Sequence, residues 1–111
     1  MTKSERATAI VTGSSRGVGA STAIKLASKG WNVTITCSSS EKEAIEVSEE
    51  CKSLGGETLV IKSDVSEEKN CKDVVDQTIK KWGRLDALIN NAGTTKFNAH
   101  ENLSGLTSED F

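Results

Sequence analysis

Tyrosine is missing from this chain and histidine occurs once, so no phenol can act as a proton donor and no histidine pair can bind a metal. The one histidine, His100, lies in a polar stretch with no carboxylate and serine arranged to activate it, and is expected at the surface. Cysteine is scarce and odd in number. Cys37, Cys51 and Cys71 are too widely spaced for a disulfide framework or for the paired cysteines of a zinc site, and read as small buried hydrophobes. Long apolar runs are also lacking. The opening Met1-Thr2-Lys3-Ser4-Glu5-Arg6 is polar and the run that follows is too short for a signal peptide or membrane span, so the expected location is cytoplasmic, with no membrane partner. Nor is there an excess of positive charge. Fourteen basic residues against sixteen acidic ones give a net charge of -2, which argues against nucleic acid as a partner. No repeat, low-complexity tract or interdomain linker interrupts the chain.

With 35% hydrophobic and 27% charged residues, the 111-residue chain has the composition of one globular domain with one core. The stretch that organises it is Thr12-Gly13-Ser14-Ser15-Arg16-Gly17-Val18-Gly19. It joins a β-prone run, Ala7 to Val11, to a segment with apolar residues at Ala20, Ala23, Ile24 and Ala27 in helical spacing, closed by Gly30. Glycines between a strand and a helix let the backbone approach a ligand and leave the first helical N–H groups unpaired at the positive end of the helix dipole, where phosphate binds. A tight turn that binds nothing also needs glycine.

Trp31 to Thr36 alternates as a second strand, with Val33 and Ile35 on one side. Ser40-Glu41-Lys42-Glu43 reads as a capping box opening a second helix, with Ala44, Val47, Cys51 and Leu54 as its buried stripe and Gly55-Gly56 as its end. Thr58 to Ile61 is a third strand. Ser66, followed by Glu67 and Glu68, is expected to cap a third helix whose inner face is Cys71, Val74, Val75, Thr78 and Trp82; Gly83 stops it, and Leu85 to Ile89 is a fourth strand. This alternation with short connections implies an α/β fold with a parallel sheet, and the Rossmann arrangement places the first four strands in the order 3-2-1-4. Thr94 to Leu106 is a polar stretch without periodicity, with Phe97 its one aromatic, and loops of that length are often functional.

The glycine spacing departs from GxGxxG. Written as TGxxxGxG it resembles the cofactor motif of the short-chain dehydrogenase/reductase family, and Asn90-Asn91-Ala92-Gly93 matches that family's second motif, NNAG. The look is nearest to the 3-oxoacyl-[acyl-carrier-protein] reductase and sugar-dehydrogenase branches. The resemblance covers essentially the whole chain and implies residues 1–111 to be a partial NAD(P)-binding Rossmann domain, truncated before the later strands of a seven-stranded sheet. It implies hydride transfer between a nicotinamide cofactor and a small-molecule carbonyl or secondary alcohol, in an enzyme that is a homo-oligomer when complete.

The roles that follow from the resemblance are specific. Gly13, Ser15, Arg16, Gly17, Val18 and Gly19 form the turn around the pyrophosphate, with the Val18 N–H among the donors. Asp64 meets the adenine amino group and Val65 covers the ring; Asp64 also reads as an Asx turn ahead of Ser66. Asn91, Ala92 and Gly93 line the ribose on the nicotinamide side, while Asn90 or Asn91 ties strand 4 to its neighbour. The cofactor choice rests on an absence. NAD sites commonly carry an acid at the end of strand 2, but here the residues are Thr36-Cys37-Ser38-Ser39-Ser40. Ser38 and Ser39 can donate to a 2′-phosphate and Arg16 can supply a bidentate charge, so NADP is expected over NAD; Arg16 as a merely solvated arginine is the alternative. No catalytic residue is assigned, because the family's Tyr-x-x-x-Lys has no counterpart. The alternative function is a truncated nucleotide-binding or interaction module without catalysis. An open edge on strand 4 leads to the expectation that the isolated chain is marginally stable and self-associating.

Overall fold

The computed structural model describes residues 4–91. They form β1 (Thr8–Val11), α1 (Gly17–Ser28), β2 (Asn32–Cys37), α2 (Glu41–Ser53), β3 (Glu57–Lys62), α3 (Glu68–Trp82) and β4 (Ala87–Ile89). The four strands make one sheet in the order β3-β2-β1-β4, and every pairing is parallel. Strand and helix alternate because apolar runs of strand length are followed by a glycine turn after β1, or by short polar turns after β2 and β3, and then by segments of helical period, as the α/β reading expects. His100, Phe97 and the stretch from Thr94 to Leu106 lie outside the described residues.

The pleat divides the core in two. Val11 on β1 and Val33, Ile35 and Cys37 on β2 face α1 and α2, meeting Ala23, Ala27, Ala44, Val47 and Cys51. Ile10, Ile61 and Leu88 pack on the other side with Val65 and with Cys71, Val74 and Val75 of the inner face of α3. Helices on both faces explain why all six residues of β2 are buried, threonines included. Thr34 meets its need for a partner inside the core, its hydroxyl lying 2.7 Å from that of Thr78 on α3. All three cysteines are buried, and none is in a disulfide among the described residues. Burial pushes the Cys51 thiol up to about 11, with Glu50 adding to the effect.

The glycine stops are confirmed in detail. After α1, Gly30 has φ 87° and its N–H donates to Ala27 O at 2.9 Å, while Trp31 N–H donates to Leu26 O at 3.2 Å. This is the Schellman pattern, and Gly55 and Gly56 repeat it on Lys52 and Cys51 after α2. Gly56 also sits where a Cβ would lie 2.6 Å from Ala27 Cβ, so a side chain there would push α1 away.

Three expectations fail. Leu54 is 46% exposed rather than part of the α2 stripe, because it is already the residue past the last helical turn and the chain there rotates toward Gly55. Ser66 does not cap α3. Glu67 takes the N-cap position, and the Ser66 hydroxyl donates instead to Asp64. Ser40 is the N-cap of α2 but makes no side-chain cap bond, so the capping box does not form. Its hydroxyl and the Glu43 carboxylate are both engaged by Arg16.

Candidate cofactor site

The parallel order sends the carboxyl ends of all four strands to one edge, and β1 lies between strands whose connections leave in opposite directions along the sheet. Ligands of open α/β sheets bind at such a switch point. The glycine turn occupies it. Gly13 and Gly17 have φ 61° and 62°, conformations that L side chains rarely adopt. Around Gly17 an added Cβ would meet nothing within 4 Å, so the backbone there lies open to an approaching group. Gly19 is the opposite case: a Cβ would lie 2.2 Å from Gly13 O and 2.7 Å from Asn91 Nδ2. The helix start is pressed onto the turn, and only glycine permits it. Arg16 takes the N-cap position of α1 without a side-chain cap bond. Val18, on that turn, is 73% exposed, and Ser15 is half-buried.

Hydroxyls that sequence reasoning did not single out hold the turn in place. Gly13 N–H donates to Thr36 Oγ1 at 3.2 Å. Ser14 Oγ donates to Val11 O at 2.6 Å and accepts from Thr36 N–H at 3.1 Å, and Ser14 N–H donates to Thr36 O at 3.2 Å. Ser14 and Thr36 are thus buried stitches between the turn and the end of β2. Their signal in the sequence was weak, since serine and threonine are common in turns and only burial reveals that these hydroxyls need partners. Thr12 does the same toward β4, where Asn91 N–H donates to its Oγ1 at 2.8 Å and Thr12 N–H donates to Ile89 O at 3.0 Å. The Thr12 hydroxyl also lies 3.4 Å from Asn90 Oδ1. Asn90 and Asn91 therefore do tie β4 to β1. Ala92 and Gly93 lie outside the described residues.

An open cleft of about 150 Å³ lies beside the turn, lined by Gly13, Thr36, Cys37, Ser38, Ser63, Asp64, Val65 and Ser66. Its size suits a single flat ring rather than a drug-sized ligand. Of the expected site residues, Gly13, Ser38, Asp64 and Val65 line it together; Arg16, Gly17, Val18 and Ser39 are exposed and do not line it. Val65 is 7% exposed and packs in the core beneath α3 while also lining the cleft.

Asp64 adopts the Asx turn. Its Oδ1 accepts from Ser66 N–H at 3.0 Å and from Ser66 Oγ at 2.5 Å. The Ser66 hydrogen bonds hold the carboxyl below its ordinary range and keep it ionised, an acceptor for any N–H brought into the cleft. Cys37 is buried at the cleft wall; desolvation and the nearby Glu41 raise its thiol pKa, and Lys62 opposes them. It therefore stays a neutral thiol, a poor nucleophile.

Arg16 reaches across the mouth of the site to the start of α2. Its guanidinium donates to Ser40 Oγ and stands 3.5 Å from Glu43 Oε1. No acid stands at the close of β2, but the fold brings one back from the first turn of α2.

The sequence model of the short chain dehydrogenases matches residues 7–111. The chain belongs to that family. It is 40% identical over 90 residues to the 3-oxoacyl-[acyl-carrier-protein] reductase FabG of Staphylococcus epidermidis, a match covering 81% of this chain and 37% of the relative. The chain thus spans well under half the length of that relative. Among solved structures of the family, a metagenomic short-chain oxidoreductase in complex with NADP aligns with a TM-score of 0.73 and 34% identity, over 81% of this chain and 40% of the other. The NADH-dependent reductase A1-R′ complexed with NAD aligns with a TM-score of 0.71 and 25% identity, over 77% of this chain and 35% of the other. Nicotinamide cofactors of both kinds are therefore bound by proteins structurally similar to this chain. Among the described residues no group of His, Cys, Asp or Glu could hold a metal ion, and no helix is long and apolar enough to cross a membrane.

Proposed function

We propose that this chain is the cofactor-binding part of an NADP-dependent short-chain reductase that transfers hydride between NADP(H) and a small-molecule carbonyl or secondary alcohol. The reading is supported by the open Gly17, the α1 start without a side-chain cap bond and the Arg16 guanidinium of the glycine turn, and by the ionised Asp64 in the cleft that Gly13 of the same turn lines. Gly13, Ser15, Gly17, Val18 and Gly19 would hold the pyrophosphate, Asp64 and Val65 the adenine, and Asn91, Ala92 and Gly93 the ribose next to the nicotinamide. Arg16, Ser38 and Ser39 would take the 2′-phosphate, since a planar guanidinium and hydroxyl donors match a phosphate and no carboxylate lies within the Thr36 to Ser40 segment. The cofactor, when bound, supplies the hydride; the residues here bind and orient it. The substrate is expected to be bound by the complete enzyme, a soluble cytoplasmic homo-oligomer of which these residues are a fragment.

Fluorescence titration of the chain with NADPH and NADH tests the cofactor choice. A charge-assisted contact to the phosphate is worth about 1.5–3 kcal/mol, so NADPH should bind roughly ten- to a hundredfold more tightly. Arg16→Ala should erase most of that difference. Equal binding of the two cofactors, or a preference that survives Arg16→Ala, overturns the assignment to NADP.

The alternative reading is a nucleotide-binding or interaction module without catalysis. Nucleotide binding with no turnover in the complete protein would favour this reading.

A further inference from the structure

Arg16 and Glu43 belong to different elements and meet over the opening that leads from the glycine turn to α2. The guanidinium carries the one positive charge that the turn contributes, and two local partners already hold it: the Ser40 hydroxyl and, at 3.5 Å, the Glu43 carboxylate. Both partners are residues whose local sequence pattern would have had them cap α2, and neither does so. The helix start is left uncapped while its expected capping groups serve the arginine. A carboxylate on a guanidinium occupies the donors, and offsets the charge, that a phosphomonoester would use.

We propose that Glu43 is a built-in competitor for Arg16, which a 2′-phosphate must displace, so that Glu43 lowers affinity for phosphorylated nucleotides and narrows the discrimination between NADP and NAD. This rests on the nucleotide reading given above. The side chains of Arg16 and Glu43 are 67% and 46% exposed, so the exchange needs no rearrangement of the core. Ser40 can remain on Arg16 throughout, because its hydroxyl carries no charge to repel phosphate.

The test compares the full chain with Glu43→Gln, and with Glu46→Gln as a control that removes the same charge elsewhere on the exposed surface of α2. The ligands are 2′,5′-ADP and 5′-AMP, measured by calorimetry. Glu43→Gln should bind 2′,5′-ADP about two- to fivefold more tightly, the range that an exposed ion pair supports, and 5′-AMP unchanged. Glu46→Gln should change neither. Weaker binding of 5′-AMP by Glu43→Gln would identify the carboxylate as a ribose ligand and overturn the proposal, as would unchanged 2′,5′-ADP binding. A second readout needs no nucleotide: the rate at which phenylglyoxal modifies Arg16, followed by mass spectrometry, should rise in Glu43→Gln and not in Glu46→Gln. An unchanged rate overturns the competition whatever the nucleotides do. A raised rate with no binding of either nucleotide places the failure in the nucleotide reading and not in the Arg16–Glu43 contact.

Discussion

The N–H of Asn91 donates to Oγ1 of Thr12 over 2.8 Å, joining positions 79 residues apart in sequence. Thr12 opens the glycine turn and Asn91 stands in the second motif, so this one bond makes the two motifs parts of a single structure. It also holds the Asn91 side chain beside Gly19, where a Cβ would lie 2.7 Å from Asn91 Nδ2.

Thr12 is fully buried, and valine matches its shape without the hydroxyl. Thr12→Val should therefore cost about 1 kcal/mol, the net worth of a hydrogen bond whose other partner can still reach water. For a domain of this size that is a fall in melting temperature of about 4 to 8 °C. Thr12→Ser, which keeps the oxygen, should stay closer to the parent. Thermal unfolding of the three proteins checks the order.

The glycines of the turn should separate by mechanism. Gly17→Ala meets open space and strains only its φ of 62°, a cost of roughly 1–2 kcal/mol. Gly19→Ala places a methyl 2.2 Å from the Gly13 carbonyl oxygen, which forces α1 off the turn. Its cost should be about 1–3 kcal/mol or more. Urea unfolding should rank Gly19→Ala as the less stable, and cofactor titration should show it losing affinity further.

Alkaline pH should destabilise the fold through Cys51. Its pKa is raised to about 11 in the folded state, so the native protein holds the thiol proton more tightly than the unfolded chain does. That stabilisation is fully present below the ordinary thiol value and is lost as the pH rises through about 11. Cys37 is also raised and should add in the same sense. Urea midpoints measured across this range should fall with pH, and Cys51→Ala, though less stable at neutral pH, should show a shallower fall.

Carbonyl reduction should be at background in these 111 residues taken alone, since the chain contains no tyrosine to protonate the developing alkoxide. NADPH oxidation with a panel of ketones and aldehydes checks this, using protein freed of host reductases. Turnover above background would point to another acid within the chain.

Much of the fold was legible residue by residue. The strand order β3-β2-β1-β4 and the parallel pairing agree with the alternation of short apolar runs and helical stripes, and the inner face of α3 contains Cys71, Val74, Val75, Thr78 and Trp82 as its spacing implied. Gly30, Gly55 and Gly83 were readable as helix stops because a positive φ is a local demand that glycine meets without steric cost. Legibility declined where a side chain had to choose between a near partner and a distant one. Ser66 was read as a cap but bonds Asp64, two residues before it.

What the sequence by itself determined is whatever depends on period and backbone freedom: the elements, their alternation, the buried faces, the glycine turn and the family it marks. These properties are set within a few residues along the chain, so the sequence carries them directly. Only the tertiary structure decided who holds whom across the site. Thr36 and Ser14 became stitches for the glycine turn, and Thr12 became the link to Asn91. Arg16 drew Ser40, 24 residues away, and Glu43 from their capping roles. A polar side chain takes the partner that the packed strands bring within reach, and parallel crossovers bring together residues that no local pattern connects.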